Sequence, residues 1–254
     1  MPLRMKVLFA GQVPKDSSFP DANEDAFVLA TDIGRVAVSD GASESFDSKT
    51  WAHLLTARFV RHPELSASWL TDAVADYLVQ FDLAQMSWSK QAAFDRGSFA
   101  TLLGIEEFRD HGTVDVLGVG DSLAVLLDGV DFVDSFPYLR AEEFQQRPEL
   151  FSTNSTLNTF FSSPDFFSRH HKTWCIKDST APIVLCMTDA LGEWALRHAQ
   201  EGRPVWQMLA GIEDVPSLEA LVLQERLTKS MRIDDTTLVR LSFATADGND
   251  LPNS

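Results

Sequence analysis

The sequence predicts an α+β fold in which antiparallel strands form a sandwich and helices cover its outside. Two observations carry this. Between residues 98 and 133 short apolar runs follow one another with only turns between them. Strands joined that tightly pair antiparallel, because parallel neighbours need a long crossover. Helical patterns are confined to residues 48–86 and 192–229, away from those runs, so strands and helices do not alternate as βαβ units.

Met5 to Ala10 reads as the first strand and residues 11–23, with Pro, Ser and Asp, as a loop. Ala26 to Thr31 is the second strand. Asp32-Ile33-Gly34 turns it into the third, Arg35 to Ser39. Trp51, Leu54, Leu55 and Phe59 recur at helical spacing and predict a helix over Ser48 to Val60. Leu70, Val74, Tyr77, Leu78 and Phe81 predict another over Ser66 to Met86. Aromatic residues at that spacing are core material. Strands follow at Ser98 to Ile105, Val114 to Val119 and Leu123 to Leu127, and Asp128-Gly129 turns the last into Val130 to Val133.

Residues 137–171 have no clean period but six Phe residues, which predicts a partly helical insertion, or flap, packed over one sheet edge. Strands at His171 to Ile176 and Ile183 to Thr188 follow, with helices at Gly192 to Gln200 and Ser217 to Lys229. The last strand is Thr236 to Ser242. Residues 1–243 read as a single domain, and 244–254 as a polar, frayed tail.

The chain has 254 residues, 44% of them hydrophobic, which is ample for a core. Its formal net charge is -16, which repels nucleic acid and anionic membrane and makes neither an expected partner. No apolar run approaches the ~20 residues that span a bilayer, and the N-terminal run is too short for a signal peptide. Cys175 and Cys186 lie in apolar runs without a Cys-x-x-Cys, so both are expected as buried thiols in a reducing cytoplasm.

Carboxylates recur where strands begin or end: Glu24-Asp25, Asp40-Gly41, Gly120-Asp121-Ser122, Thr188-Asp189 and Asp234-Asp235. A lone Asp-Gly is as readily a tight turn. Several such ends gathered on one rim of a sandwich would repel one another and resist ionisation. Hard divalent cations, Mg2+ or Mn2+, resolve that, since they favour carboxylate, carbonyl and water oxygens.

The ordered series Asn23-Glu-Asp-Ala-Phe27, Val38-Ser-Asp-Gly-Ala42, Gly97-Ser-Phe-Ala-Thr-Leu102, Gly118-Val-Gly-Asp-Ser122, Met187-Thr-Asp-Ala-Leu191 and Asp234-Asp-Thr-Thr-Leu-Val239 spans nearly the whole chain. It resembles the metal-dependent protein phosphatase 2C (PPM) family, in the form of a divergent bacterial-type member. The resemblance implies a four-layer α/β/β/α sandwich of two antiparallel sheets flanked by helices. It implies hydrolysis of phosphoserine or phosphothreonine by metal-activated water, on two Mn2+ or Mg2+ ions with a weaker third. By the same resemblance Asp40 bridges the two ions, Asp189 and Asp234 complete one site, and Glu24 and the Gly41 carbonyl complete the other. Asp121 with Asp189 holds the third, and Asp25 and Asp235 act behind these ligands. The implied partners are a phosphorylated protein and a cognate Ser/Thr kinase or its target.

Three positions depart from the family pattern. Pro20 stands where an Arg would grip phosphate, leaving Lys15 as a candidate point charge. Ala42 stands where many members carry a His, and Ala190 where they carry a Gly. Two alternatives therefore stand beside the phosphatase: a catalytically weak relative that binds a phosphoprotein or kinase, and a hydrolase of small phosphorylated metabolites. His170-His171 reads as a polar pair, and Ser43 and Ser122 lack a His partner for nucleophilic catalysis.

Overall fold

The computed structural model describes residues 3–245. In chain order its strands and helices are β1 (Leu3–Val13), β2 (Ala26–Ala30), β3 (Arg35–Ser39), α1 (Ser48–Arg61), α2 (Ala67–Leu78), α3 (Trp88–Arg96), β4 (Phe99–Ala100), β5 (Leu102–Phe108), β6 (Thr113–Val119), β7 (Leu123–Asp128), β8 (Asp131–Phe136), β9 (Phe151–Ser152), α4 (Phe166–His170), β10 (His171–Cys175), β11 (Pro182–Met187), α5 (Asp189–Gln200), α6 (Val205–Ala210), α7 (Val215–Leu227) and β12 (Thr236–Thr245). Residues 246–254 of the expected tail lie outside the described residues.

Two five-stranded sheets result, in the orders β1-β12-β11-β7-β8 and β10-β6-β5-β3-β2. Every pairing in them is antiparallel. Because side chains alternate along a strand, the central strands feed two apolar layers each. Ala124 and Leu126 of β7 join Val184 and Cys186 of β11 and Val36, Val38, Leu103 and Ile105 of the other sheet in the inter-sheet core. Leu123, Val125 and Leu127 point the other way, onto Leu191 and Trp194 of α5 and Leu218 and Val222 of α7. On the far side Ala37, Leu102 and Val119 meet Trp51, Leu55 and Phe59 of α1 and Trp69 and Tyr77 of α2. Three apolar layers between four layers of structure make the α/β/β/α sandwich.

Four expectations change. The long helix over 66–86 is α2 alone, followed by a short turn and α3. Asp82 caps that turn by accepting from the Ala84 N–H, and Ser87 then caps α3. The helix expected from Gly192 starts at Asp189, and α6 carried no periodic signal in six residues. Cys186 is buried, but Cys175 is exposed. It ends β10, an edge strand that turns Trp174 inward and Cys175 outward. Finally, the 137–171 insertion extends beyond one sheet edge: α4 lies against the edge strand β10 and its neighbour β6, and the rest reaches both helical layers. Tyr138 and Phe144 pack against the α5 side. Phe151, Phe160, Phe161 and Phe166 pack against α1 and α2, where the Trp51 indole donates to the Phe151 carbonyl at 2.9 Å.

Candidate metal centre

Strand register brings the acidic ends together. Ala26 pairs with Ser39, so Asp25 and Asp40 leave neighbouring strands at the same level. Met187 pairs with both Leu123 and Leu238, which sets Asp189 beside the turn carrying Asp121 and the segment carrying Asp234. Asp40, Asp121, Asp189 and Asp234 line one cleft of about 320 Å3, together with Gly41, Ala42, Thr101 and the insertion residues Pro148 and Leu150. Glu24 and Asp25 stand behind it.

Hydroxyl and backbone groups lock this arrangement. The Asp40 N–H donates to Thr101 Oγ1 at 2.8 Å, and the Thr101 N–H donates back to the Asp40 carbonyl at 2.9 Å. Thr101 Oγ1 also lies 2.7 Å from Ser122 Oγ, beside Asp121. Asp25 ties the two sheets: its Oδ2 accepts from the Thr188 hydroxyl at 3.0 Å and the Thr237 hydroxyl at 2.6 Å. Asp235 accepts from the backbone N–H groups of Lys15 at 2.7 Å and Glu24 at 2.9 Å, so it positions the Glu24 strand end. At Gly41 a side chain would sit 2.9 Å from the carbonyls of Glu24 and Ser48, and only glycine fits that approach. Ala190 is the second helical residue of α5, where alanine is as suitable as glycine.

The charges are unevenly compensated. Burial, and then the charges of Asp25, Asp121 and Asp234, push Asp40 well above the ordinary carboxylate range, while Arg232 pulls it back. Burial likewise raises Asp121, again against Arg232. Burial is the main cause that takes Asp25 to about 7; the Thr237 hydrogen bond opposes it and the Asp235 charge adds to it. Glu24 is different. Burial opposes its ionisation, but hydrogen bonds from Lys15, Ser43 and Ser48 outweigh that and hold it below its usual value. Lys15 Nζ lies 2.5 Å from Glu24 Oε2, 2.7 Å from Ser43 Oγ and 3.8 Å from Asp235 Oδ2. Arg232 pairs with Asp189 Oδ2.

The donor set fits a hard divalent cation. It is all oxygen, it carries several formal negative charges, and Asp189 Oδ1 and Asp25 Oδ1 are buried without a partner. Among the described residues, no three His, Cys, Asp or Glu side chains are already drawn onto one point. Lys15 and Arg232 instead stand among the carboxylates. All nine residues expected from the sequence lie in or directly behind the cleft. Thr101, Thr188, Thr237 and Arg232 were not singled out. Thr188 and Thr237 lie within acidic motifs and Thr101 within Gly97-Ser-Phe-Ala-Thr-Leu102, and Arg232 precedes Asp234 by two residues.

These raised carboxylates give the metal-free protein a defined pH dependence. The folded pKa of Asp25, about 7, exceeds its ordinary 3.8. The folded state therefore keeps a proton that the unfolded chain releases. That stabilisation is fully present below the unfolded value and is lost as pH rises through the folded one. The Tm of EDTA-treated protein should fall as pH is raised from about 5 to about 8, and added Mn2+ should reverse the trend because cation binding favours ionised ligands. Thermal melts at several pH values measure this.

No protein-family model and no curated protein matches the sequence. Solved structures do match. The photosystem II phosphatase PBCP is 14% identical with a TM-score of 0.59, over 96% of this chain and 100% of that one. The catalytic domain of the serine/threonine protein phosphatase PstP, in complex with two manganese ions, is 13% identical with a TM-score of 0.58, over 96% and 100%. RsbX in complex with magnesium is 14% identical with a TM-score of 0.50, over 95% and 96%. The chain has the phosphatase 2C-like fold. Among the described residues no helix is long and apolar enough to cross a membrane.

Proposed function

We propose that the chain is a divalent-metal-dependent, bacterial-type serine/threonine protein phosphatase, and that residues 1–243 form its single catalytic domain. The observation that carries this is the convergence of Asp40, Asp121, Asp189 and Asp234 from different strand ends on one cleft. The fold shared with phosphatases, one of them solved with two manganese ions, and with RsbX, solved with magnesium, supports it.

In this reading Asp40, Asp189 and Asp234 would hold one Mn2+ or Mg2+ ion. Glu24, Asp40 and the Gly41 carbonyl would hold a second, and Asp121 with Asp189 a weaker third. Such ions lower the pKa of a bound water and neutralise charge on the phosphoryl oxygens. The chain's own residues do the rest. Asp25 and Asp235 fix the two strand ends that carry the ligands. Lys15 holds the Glu24 carboxylate. Thr101 keeps Asp40 in place through paired backbone and hydroxyl contacts. Ala42 offers no proton, which leaves either protonation of the leaving oxygen by water or a lower rate. The substrate is a phosphorylated protein, a cognate Ser/Thr kinase or its target. The place of action is the cytoplasm, which the acidic composition and the two cysteines support, and the role is signalling by dephosphorylation.

The test compares kcat/KM for a phosphothreonine peptide and a small phosphate ester with Mn2+ present. A clear preference for the peptide supports a protein phosphatase. Preference for the small ester moves the substrate to a metabolite, and metal binding without turnover makes the chain a binding relative.

A further inference from the structure

A phosphate monoester entering this cleft meets four carboxylates, and a protein cation beside bound metal would offset their repulsion. Pro20 occupies the position four residues before Glu24, and the turn around it, Pro20–Ala22, contains Asp21 and no cation. Lys15 is committed to Glu24 and Ser43. Arg232 holds fewer partners and is more exposed. It lies in the segment between α7 and β12, and its guanidinium reaches into the acidic cluster, where its charge acts on Asp40 and Asp121 as well as on its partner. Among the described residues Asp189 is its one ion-pair partner, and its side chain is 46% exposed.

The backbone under Arg232 is anchored. Arg226 of α7 is buried and donates to the Pro14 carbonyl at 2.8 Å, to the Asp234 carbonyl and to Thr236 Oγ1 at 3.0 Å. The guanidinium is thus a half-exposed cation on a fixed base, beside the same cleft that holds Asp40, Asp121 and Asp234. Asp189 offers it only Oδ2, while Oδ1 is buried and unpartnered. A metal ion and Arg232 can therefore share Asp189.

We propose that Arg232 is the phosphate-binding residue of this cleft: its planar fork, resting on Asp189, takes the non-bridging oxygens of the substrate's phosphate and of the phosphate product. This rests on the phosphatase reading and adds to it the group that grips the substrate.

Inorganic phosphate titrated calorimetrically into the Mn2+-loaded full chain tests it, with a separate Mn2+ titration of each variant. Arg232→Ala should weaken phosphate binding about ten- to hundredfold, the loss typical of a hydrogen-bonded charge. Mn2+ affinity should be unchanged or tighter, because a cation beside the ligands is gone. Arg232→Lys, which keeps a point charge without the fork, should fall between. In turnover the Ala variant should raise KM and product-inhibition constants more than it lowers kcat. Phosphate binding equal to wild type in Arg232→Ala overturns the assignment. So does a parallel loss of Mn2+ affinity, which would show that the residue only props the metal ligands, and so does a wild-type protein that binds no phosphate. A wild type that binds phosphate through Arg232 but turns over no phosphate ester overturns the phosphatase reading and leaves the assignment standing.

Discussion

Replacing Asp40 with Asn should lower hydrolysis of a phosphothreonine peptide by at least about a thousandfold while leaving the protein at least as stable. The first half follows from position. Asp40 directly follows β3 and lines the cleft, and in the proposed centre it would serve both ions. Losing it removes several kcal/mol of charge stabilisation, and about 4 kcal/mol is a thousandfold in rate. The second half follows from electrostatics. Burial and three neighbouring carboxylates already resist the ionisation of Asp40. Asn has the same shape, keeps the backbone contacts to Thr101 and carries no charge to repel Asp25, Asp121 or Asp234. Steady-state kinetics and melts in EDTA check the two halves separately. A variant that melts well below wild type without metal would contradict the repulsion argument.

Trp51→Ala should cost about 3–5 kcal/mol, among the largest single losses in the molecule. Trp51 of α1 is fully buried against α2, the sheet and the insertion. Its ring stands edge-on to Tyr77 at 5.6 Å, and its indole N–H satisfies the Phe151 carbonyl. Truncation leaves a cavity and an unpaired buried carbonyl together. For a chain of this size that is a fall in Tm of roughly 6–20 °C. Trp51→Phe keeps most of the packing and loses only the hydrogen bond, so it should cost about 1–3 kcal/mol. Because Phe151 begins the part of the insertion that packs on α1 and α2, the Ala variant should also be cut faster by protease within residues 151–166. Urea denaturation gives the free energies and limited proteolysis the location. Equal losses for Ala and Phe would place the stabilisation in the hydrogen bond rather than the ring.

The parts of the fold that were legible in the sequence share a cause. Strands such as Arg35–Ser39 and Leu123–Asp128 alternate two apolar layers and are bounded by Gly or Asp, and both signals are local. The acidic strand ends were legible for the same reason: a carboxylate beside an apolar run is visible without knowing the pairing. What was not legible depends on contacts distant in the chain. The 137–171 insertion has no period because its Phe residues pack on two different helical layers, Phe144 on one and Phe151 to Phe166 on the other. Cys175 looked buried because its neighbours are apolar, but the edge position of β10 decides its exposure. Arg232 was missed because a cation two residues from Asp234 is ordinary in sequence, and only the register of β11 and β12 sets Asp189 within its reach.

The central claim is that this carboxylate cleft hydrolyses phosphate esters through bound divalent metal. The direct measurement strips the protein with EDTA, removes the chelator and restores Mn2+ stepwise while following phosphate release from a phosphothreonine peptide. The account predicts no release from stripped protein, recovery that saturates with Mn2+, and no recovery in Asp40→Asn. Release that persists undiminished in EDTA, or that Mn2+ restores equally in Asp40→Asn, would contradict it.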